Sequence, residues 1–267
     1  MRSTGVNRII VVLGISAVAL VGLSATPGAS PQNEQKQQQD KKNQQQGKKE
    51  QQQNKANARA SQEQARQEQA RMTQTAIWQQ QRQLVQYREH LEAQQRLAQP
   101  QTAQLRQQRR TALAGVQQQY VERLRQQQMR VHNSDRYNYG RDPFFRTPPT
   151  VWYSSGGAYY ETNQFGVNLL RQAVNYGYEE GIRVGRADRQ DRWASNYEGS
   201  WAYQDANYGY SGLYVGRNHY NAYFREGFRR GYEDGYHGRH QFGTYARGRG
   251  TVLGAVLATI LSFQAIR

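Results

Sequence analysis

Cysteine is absent from this 267-residue chain, and apolar residues make up only 36% of it, counting tyrosine. Without cysteine there are no disulfides, no thiolate metal sites, no cysteine nucleophile and no lipid-bearing cysteine. The low apolar fraction and a mean hydropathy of −1.02 exclude both one large hydrophobic core and a bundle of membrane spans. Basic residues outnumber acidic ones by 36 to 20, so the net charge is +16.

The first thirty residues predict export. Arg2 and Arg8 give a positive start, residues 9–23 form an uncharged apolar run, and small residues follow up to Ser30. This order is typical of a secretory signal peptide. An uncleaved signal anchor is the alternative, because about fifteen apolar residues nearly suffice for a thin bilayer. Both interpretations place the rest of the chain outside the cytoplasm, in the periplasm or at the cell surface or beyond.

Residues 31–59 contain mostly Gln, Lys and Asn, and all the lysines of the chain lie between Lys36 and Lys55. Such a segment buries too little apolar surface to offset the entropy lost on ordering, so we expect a disordered arm. The arm is either a solvated spacer or a polyanion-binding segment that acts through counterion release.

Residues 60–130 keep the glutamines but gain a helical periodicity. Ile77, Leu84 and Leu91 recur every seven residues, and apolar residues recur at three-and-four spacing beyond Pro100. This pattern predicts two Gln/Arg-rich helices joined near Pro100, as a hairpin or an oligomeric coiled coil. Because many seam positions hold Gln or Arg, a stalk or interaction module fits better than an independent bundle.

Residues 131–157, rich in Pro, Asn, Ser and Gly, are expected to be a linker. A Tyr/Gly/Arg-rich region, 158–250, follows and contains an internal repeat. The segment 168–189 aligns without gaps on 218–239, at an offset of fifty residues. We therefore expect a small α-helical repeat domain, and the fold class is mainly α.

Both copies carry glycines spaced by four residues beside an apolar stripe with the same spacing. The predicted helix-packing glycines are Gly177, Gly181, Gly185, Gly227, Gly231 and Gly235. The predicted apolar stripe is Leu170, Val174, Tyr178, Ile182, Tyr220, Phe224, Phe228 and Tyr232. A glycine costs a helix about 1 kcal/mol relative to alanine, so three in one helix need a compensating contact. Close approach of another backbone or an aromatic ring is the expected compensation.

The blocks AYQDANYGYSGLY and YFREGFRRGYEDGYHGR resemble a family of uncharacterised secreted bacterial proteins. The resemblance covers residues 172–243 together with the apolar C-terminus. It implies export and a shared fold, and it carries no catalytic or binding residue onto this chain.

The last segment, 251–267, is predicted to be an amphipathic helix of about 25 Å, too short for a hydrocarbon core of about 30 Å. Docking on the repeat domain is the expected arrangement. Contact with a membrane surface and self-association are the alternatives.

Signals of catalysis and metal binding are weak. His237 and His240 stand three residues apart without a matching third ligand. Asp188 and Asp191 resemble half a calcium loop, but arginines are interleaved with them, so we expect solvated ion pairs. The local charges of the two copies, such as Glu179 and Arg183, are likewise expected to face water. No catalytic, cofactor-binding or metal-ligating residue is predicted, and no cofactor.

The sequence therefore predicts an exported, non-enzymatic structural or adhesive protein of the bacterial cell envelope. The alternative is a polyanion- or glycan-binding protein that uses the basic Gln-rich arm and an Arg/Tyr surface. Protein partners or self-association are expected in the first case, and specific nucleic-acid recognition in neither.

Overall fold

The computed structural model describes residues 31–132 and 137–266, and describes side chains from Gly47 to Val131 and from Tyr137 to Ile266. The predicted signal segment lies outside the described residues. The chain divides after Ala65 into two compact units. No described helix combines the length and the apolar character needed to cross a membrane.

Helix α1 extends over Pro31–Gln107, so the segment 31–59 is helical where the sequence predicted a disordered arm. The prediction weighed the lack of apolar surface and neglected local preference. Gln, Lys, Arg, Ala and Glu are all good helix formers, and their preferences add along a long segment. Every residue from Gly47 to Met72 is exposed, so this part of α1 is helical without burying a face.

Helix α1 continues through Pro100, which was expected to break it, and α2 begins only at Thr111. Pro100 is exposed. It removes one hydrogen bond of the helix and its ring crowds the carbonyl of residue 96, a local cost that α1 accommodates without ending. The turn lies at 108–110, where Arg109 adopts a left-handed φ of 62°. Hydrogen bonds from Arg88 to the Val131 carbonyl and from Gln117 to the Ala98 carbonyl show that the two helices run antiparallel.

Two β-hairpins flank the helices of the repeat region, where the sequence pattern predicted neither. The predicted linker contains two 3-10 helices, Tyr139–Arg141 and Pro143–Arg146, and strand β1, Val151–Ser155. Strand β2, Ala158–Thr162, pairs antiparallel with β1 across Gly156 and Gly157. Both glycines have positive φ, as a tight two-residue hairpin turn requires.

Three helices form the centre of this region: α3, Gln164–Gln190; the short α4, Trp201–Asp205; and α5, Arg217–His237. Strands β3, Gly243–Ala246, and β4, Arg249–Val252, then form the second hairpin. The predicted helix 251–267 is shorter than expected: α6 covers Gly254–Leu261, and β5, Gln264–Ala265, pairs with β1.

Helix α2 packs against α3, so α2 is part of the same unit as the repeat region rather than a separate stalk. The buried residues of the second half of α1 and of α2 belong to one core together with those of α3 and α5, so the exclusion of one large core from the composition was wrong. Leu91 and Leu124 are each 1% exposed within this core.

Candidate functional site

Helices α3 and α5, which contain the two sequence copies, contact each other through their glycines. A Cβ atom added to Gly177 would lie 2.8 Å from the backbone carbon of Phe224, and one added to Gly181 would lie 2.7 Å from the nitrogen of Tyr232. One added to Gly185 would lie 2.7 Å from the nitrogen of Tyr236. The residue numbers of the contacting positions increase together along α3 and α5, so the two helices are parallel.

The contact is reciprocal. A Cβ on Gly227 would lie 2.8 Å from the carbonyl carbon of Val174, and one on Gly231 would lie 2.7 Å from that of Tyr178. Gly235 meets the Ile182 carbonyl in the same way, at 2.5 Å from its oxygen. Each helix therefore presents its glycines to the backbone of the other, and no residue with a Cβ fits at these positions without a shift.

All eight residues of the predicted stripe are buried and at most 1% exposed. Burial of one such side chain stabilises the fold by about 1.5–3 kcal/mol. Four per helix thus contribute about 6–12 kcal/mol, more than the roughly 3 kcal/mol that three glycines cost a helix. The stripe also brings together aromatic rings, including Phe224 and Phe228, which are stacked with centroids 6.3 Å apart.

Glu180, on the side of α3 that faces α2, is fully buried. Both of its oxygens accept hydrogen bonds from Arg123 of α2, at 2.7 and 2.8 Å, and Arg183 adds a third bond at 2.6 Å. Burial raises the pKa of Glu180, and the two guanidinium groups oppose that shift. The sequence predicted water-facing charges at Glu179 and Arg183, next to Glu180. The partner of Glu180 in α2, 57 residues away, is what allows Glu180 to be buried.

Asp188 was predicted to form solvated ion pairs and is instead fully buried. It accepts hydrogen bonds from Arg110 at 2.5 Å and from the Tyr232 hydroxyl at 2.8 Å. Burial raises the pKa of Asp188, and these two hydrogen bonds oppose the shift. Asp191 accepts from the backbone N–H groups of Ala112 and Leu113, so it caps the N-terminus of α2 from another part of the chain.

Two further buried carboxylates, which the sequence analysis did not single out, hold loops against the helices. Asp234 accepts a hydrogen bond from the Tyr178 hydroxyl at 2.7 Å and others from the backbone N–H groups of Gln241 and Phe242. Asp205 accepts from the Tyr120 hydroxyl at 2.6 Å.

The tyrosines of this network are neutral at neutral pH, as the ordinary tyrosine pKa of about 10 requires. Burial raises the pKa of Tyr120, Tyr178 and Tyr232 further. Each hydroxyl therefore donates to a carboxylate. The arrangement is one of structural hydrogen bonds, with the buried acidic groups turned inward onto donors.

A groove of about 940 Å³ lies between α1 and α2. Glutamine, arginine and glutamate side chains dominate its walls, among them Glu92, Arg96 and Arg125. Small-molecule sites are usually lined by apolar and aromatic side chains with a few convergent polar groups. The polar walls of this groove differ from that pattern.

His237 and His240 are both exposed at the C-terminal end of α5. Among the residues whose side chains are described, no three His, Cys, Asp or Glu residues are grouped so that they could hold a metal ion.

Comparisons with known proteins find no matching family model, no matching curated protein and no matching solved structure.

Proposed function

We propose that this protein is an exported, non-enzymatic structural or adhesive component of the bacterial cell envelope. The observation that carries the proposal is the exposed stretch of α1 from Gly47 to Met72. A helix that is polar on every side bridges solvent or meets a partner, because it has no apolar face to bury. At 1.5 Å per residue, the part of α1 within the first unit, 31–65, extends over about 50 Å.

The buried acidic groups of the second unit support a structural role. Glu180, Asp188, Asp205 and Asp234 all accept hydrogen bonds from side chains or backbone groups of the fold. A general acid or base has to reach a substrate proton within about 3 Å. These four carboxylates are at most 3% exposed, so they serve the packing of the helices.

Two finer features of the chain belong to this proposal, a stalk and an internal repeat. We propose that the exposed part of α1 works as a stalk that meets a partner through polar side chains, and that 168–189 and 218–239 are two copies of one structural unit. The gapless offset of fifty residues and the reciprocal glycine contacts support the second statement. We propose export on the basis of residues 1–30, to the periplasm, the cell surface or the medium.

The lysine distribution offers a direct test of the stalk. All lysines lie between Lys36 and Lys55, so an amine-reactive cross-linker added to whole cells reports neighbours of α1 and of the amino terminus. We expect cross-linked envelope proteins or cross-linked copies of this chain. The matched control replaces every lysine with arginine, which keeps the charge and removes the reactive amine. Products that are equally abundant in the control, or no products at all, would contradict the stalk.

A second candidate function is polyanion or glycan binding. The specific observation in its favour is the partition of charge in the second unit, where four carboxylates are buried while most arginines beyond 180 stay at least partly exposed. The surface of this unit is thus more basic than its composition indicates.

A further inference from the structure

Five exposed arginines, on α3, just after α5 and on the second hairpin, define what we call the basic band. Its members are Arg186, Arg189, Arg239, Arg247 and Arg249. Ion pairs within 4 Å in the described part of the chain involve other arginines, namely Arg110, Arg123, Arg183, Arg229 and Arg230. The charges of the band are therefore not neutralised by a carboxylate at contact distance.

Contacts within the fold make the band continuous. The guanidinium of Arg186 lies over the ring of Tyr245 in β3, 4.6 Å from its centroid. Arg183 donates to the Gly248 carbonyl at 2.8 Å, which holds the turn containing Arg247 against α3. One turn further along α3, Arg189 lies against Gly238, the residue before Arg239.

Parallel packing of α3 and α5 explains why these arginines meet. Arg189 and Arg239 occupy equivalent positions in the two sequence copies, fifty residues apart. Because the helices are parallel, both positions fall at the same end of the helix pair. The second hairpin adds Arg247 and Arg249 beside α3. A Cβ atom added to Gly250 of β4 would lie 3.0 Å from the Cα of Glu179 in α3.

The opposing charges near the band are small. The C-terminal carbonyls of α3 and α5 contribute about half an elementary negative charge each. Asp188 and Asp234 are buried and hydrogen-bonded, and Glu179 is paired with Arg183. Two half-buried carboxylates remain, Glu233 on α5 and Asp191 at the C-terminal end of α3, and Asp191 accepts hydrogen bonds from backbone N–H groups. Five full positive charges outweigh these contributions, so the band attracts anions.

We propose that the basic band binds an acidic polysaccharide, an inference that rests on the second candidate function and names its surface. Guanidinium groups form paired hydrogen bonds with carboxylate and sulfate oxygens, and a row of them suits a linear chain with repeated charges. A lipid surface fits less well, because α6 turns its apolar residues inward: Leu261 is 4% exposed, and Val256, Leu257 and Ile260 pack on the core. Export outside the cytoplasm favours a polysaccharide over nucleic acid.

Heparin, a densely sulfated polysaccharide, is the probe for this proposal. The full chain is titrated with heparin at several salt concentrations, beside a band variant that combines Arg186→Gln, Arg189→Gln, Arg239→Gln and Arg247→Asn. Asn tolerates the left-handed φ of 51° at position 247. The matched control carries Lys48→Gln, Lys49→Gln, Lys55→Gln and Arg59→Gln, which removes the same charge from exposed positions of α1.

We expect the band variant to bind heparin at least about tenfold more weakly than the control. For the band variant, the slope of log affinity against log salt falls by about 3, because four contacts are lost at roughly 0.7 each, as for single-stranded polyanions. Equal binding by both variants, or greater loss in the control, would overturn the assignment to the band. Circular dichroism and thermal melting verify that both variants fold.

Two competing ligands complete the experiment. If vesicles rich in phosphatidylglycerol, or a DNA duplex, bind more tightly than heparin and depend on the same arginines, the polysaccharide assignment is wrong while the band remains. The proposed role in the envelope is tested separately by lysine cross-linking. The cross-linking result can therefore contradict the role in the envelope while heparin binding by the basic band stands, and the reverse.

Discussion

Gly181 and Gly231 lie at the centre of the contact between α3 and α5, and replacing either with alanine tests the close approach of the two backbones. On an exposed helix, the change would stabilise the protein by about 0.5–1 kcal/mol. Here the new methyl group meets backbone atoms: it would lie 2.7 Å from the Tyr232 nitrogen in one case and 2.7 Å from the Tyr178 carbonyl carbon in the other. Backbone cannot rotate away as a side chain does, so the helices have to separate.

Overpacking of this kind costs about 1–3 kcal/mol. We therefore expect each variant to be destabilised despite its better helix preference, by about 1–2 kcal/mol in net free energy of unfolding. In a unit of this size that lowers the melting temperature by about 2–8 °C. Thermal melting and urea unfolding of the full chain provide the measurement.

Gly115 of α2 is the matched control, because an added Cβ there would meet nothing within 4 Å. Gly115→Ala should raise the free energy of unfolding by about 0.5–1 kcal/mol. If Gly181→Ala and Gly231→Ala raised stability as much as Gly115→Ala, the two helices would not be in backbone contact and the account of the repeat region would be refuted.

Three further predictions concern the buried carboxylates. Arg123→Met should lower the free energy of unfolding by about 3 kcal/mol because it removes a main partner of buried Glu180. In a double-mutant cycle, adding Glu180→Met should recover part of that loss. Purely additive effects of the two changes would argue against the pair. The pKa of Glu180 is raised in the folded protein, so the folded state holds its proton more tightly, and stability falls as pH rises above its ordinary value of 4.5. Urea titrations should thus show wild type gaining stability relative to Glu180→Gln as the pH falls from neutral toward 4.5, whereas an unchanged or shrinking difference would contradict the shift. Asp191→Ala should cost about 1 kcal/mol by uncapping α2, and Asp191→Asn, which keeps an acceptor, should cost less; equal losses in thermal melting would indicate another role.

The glycine contact shows what the sequence reveals about this fold. Spacing by four places Gly177, Gly181 and Gly185 on one side of a helix, and the cost of three glycines indicates a close neighbour. Neither the spacing nor the cost says that the two helices are parallel. Orientation depends on the chain between them, which includes α4 and the loop around Asp205.

The buried carboxylates show where local sequence reasoning ends. No pattern around Glu180 indicated that it is buried, and Asp188 was expected to form solvated ion pairs because arginines are interleaved with it. Their partners, Arg123 and Arg110, lie 57 and 78 residues away in α2, and spacing within α3 carries no information about them. A charged residue is buried when a distant partner compensates for lost hydration, so the prediction needs the tertiary structure.

The hairpins were missed although a signal was present. Gly156-Gly157 stands between residues of high β-propensity, which is typical of a two-residue hairpin turn. Weight was given instead to the Pro and Asn residues of the preceding segment. For α1 the error was the opposite one: absence of apolar surface was taken to exclude helix, whereas helix-forming residues suffice for the described conformation.

Cell fractionation, combined with mass measurement of the chain's N-terminus, tests the central claim most directly. The account predicts that the chain is recovered from the envelope or the medium, either cleaved within about residues 25–30 or retained as an intact membrane-anchored form. Deleting residues 2–23 should leave it in the cytosol. An intact chain that starts at Met1 and is recovered from the cytosolic fraction of wild-type cells would contradict export, and with it the proposed role in the cell envelope.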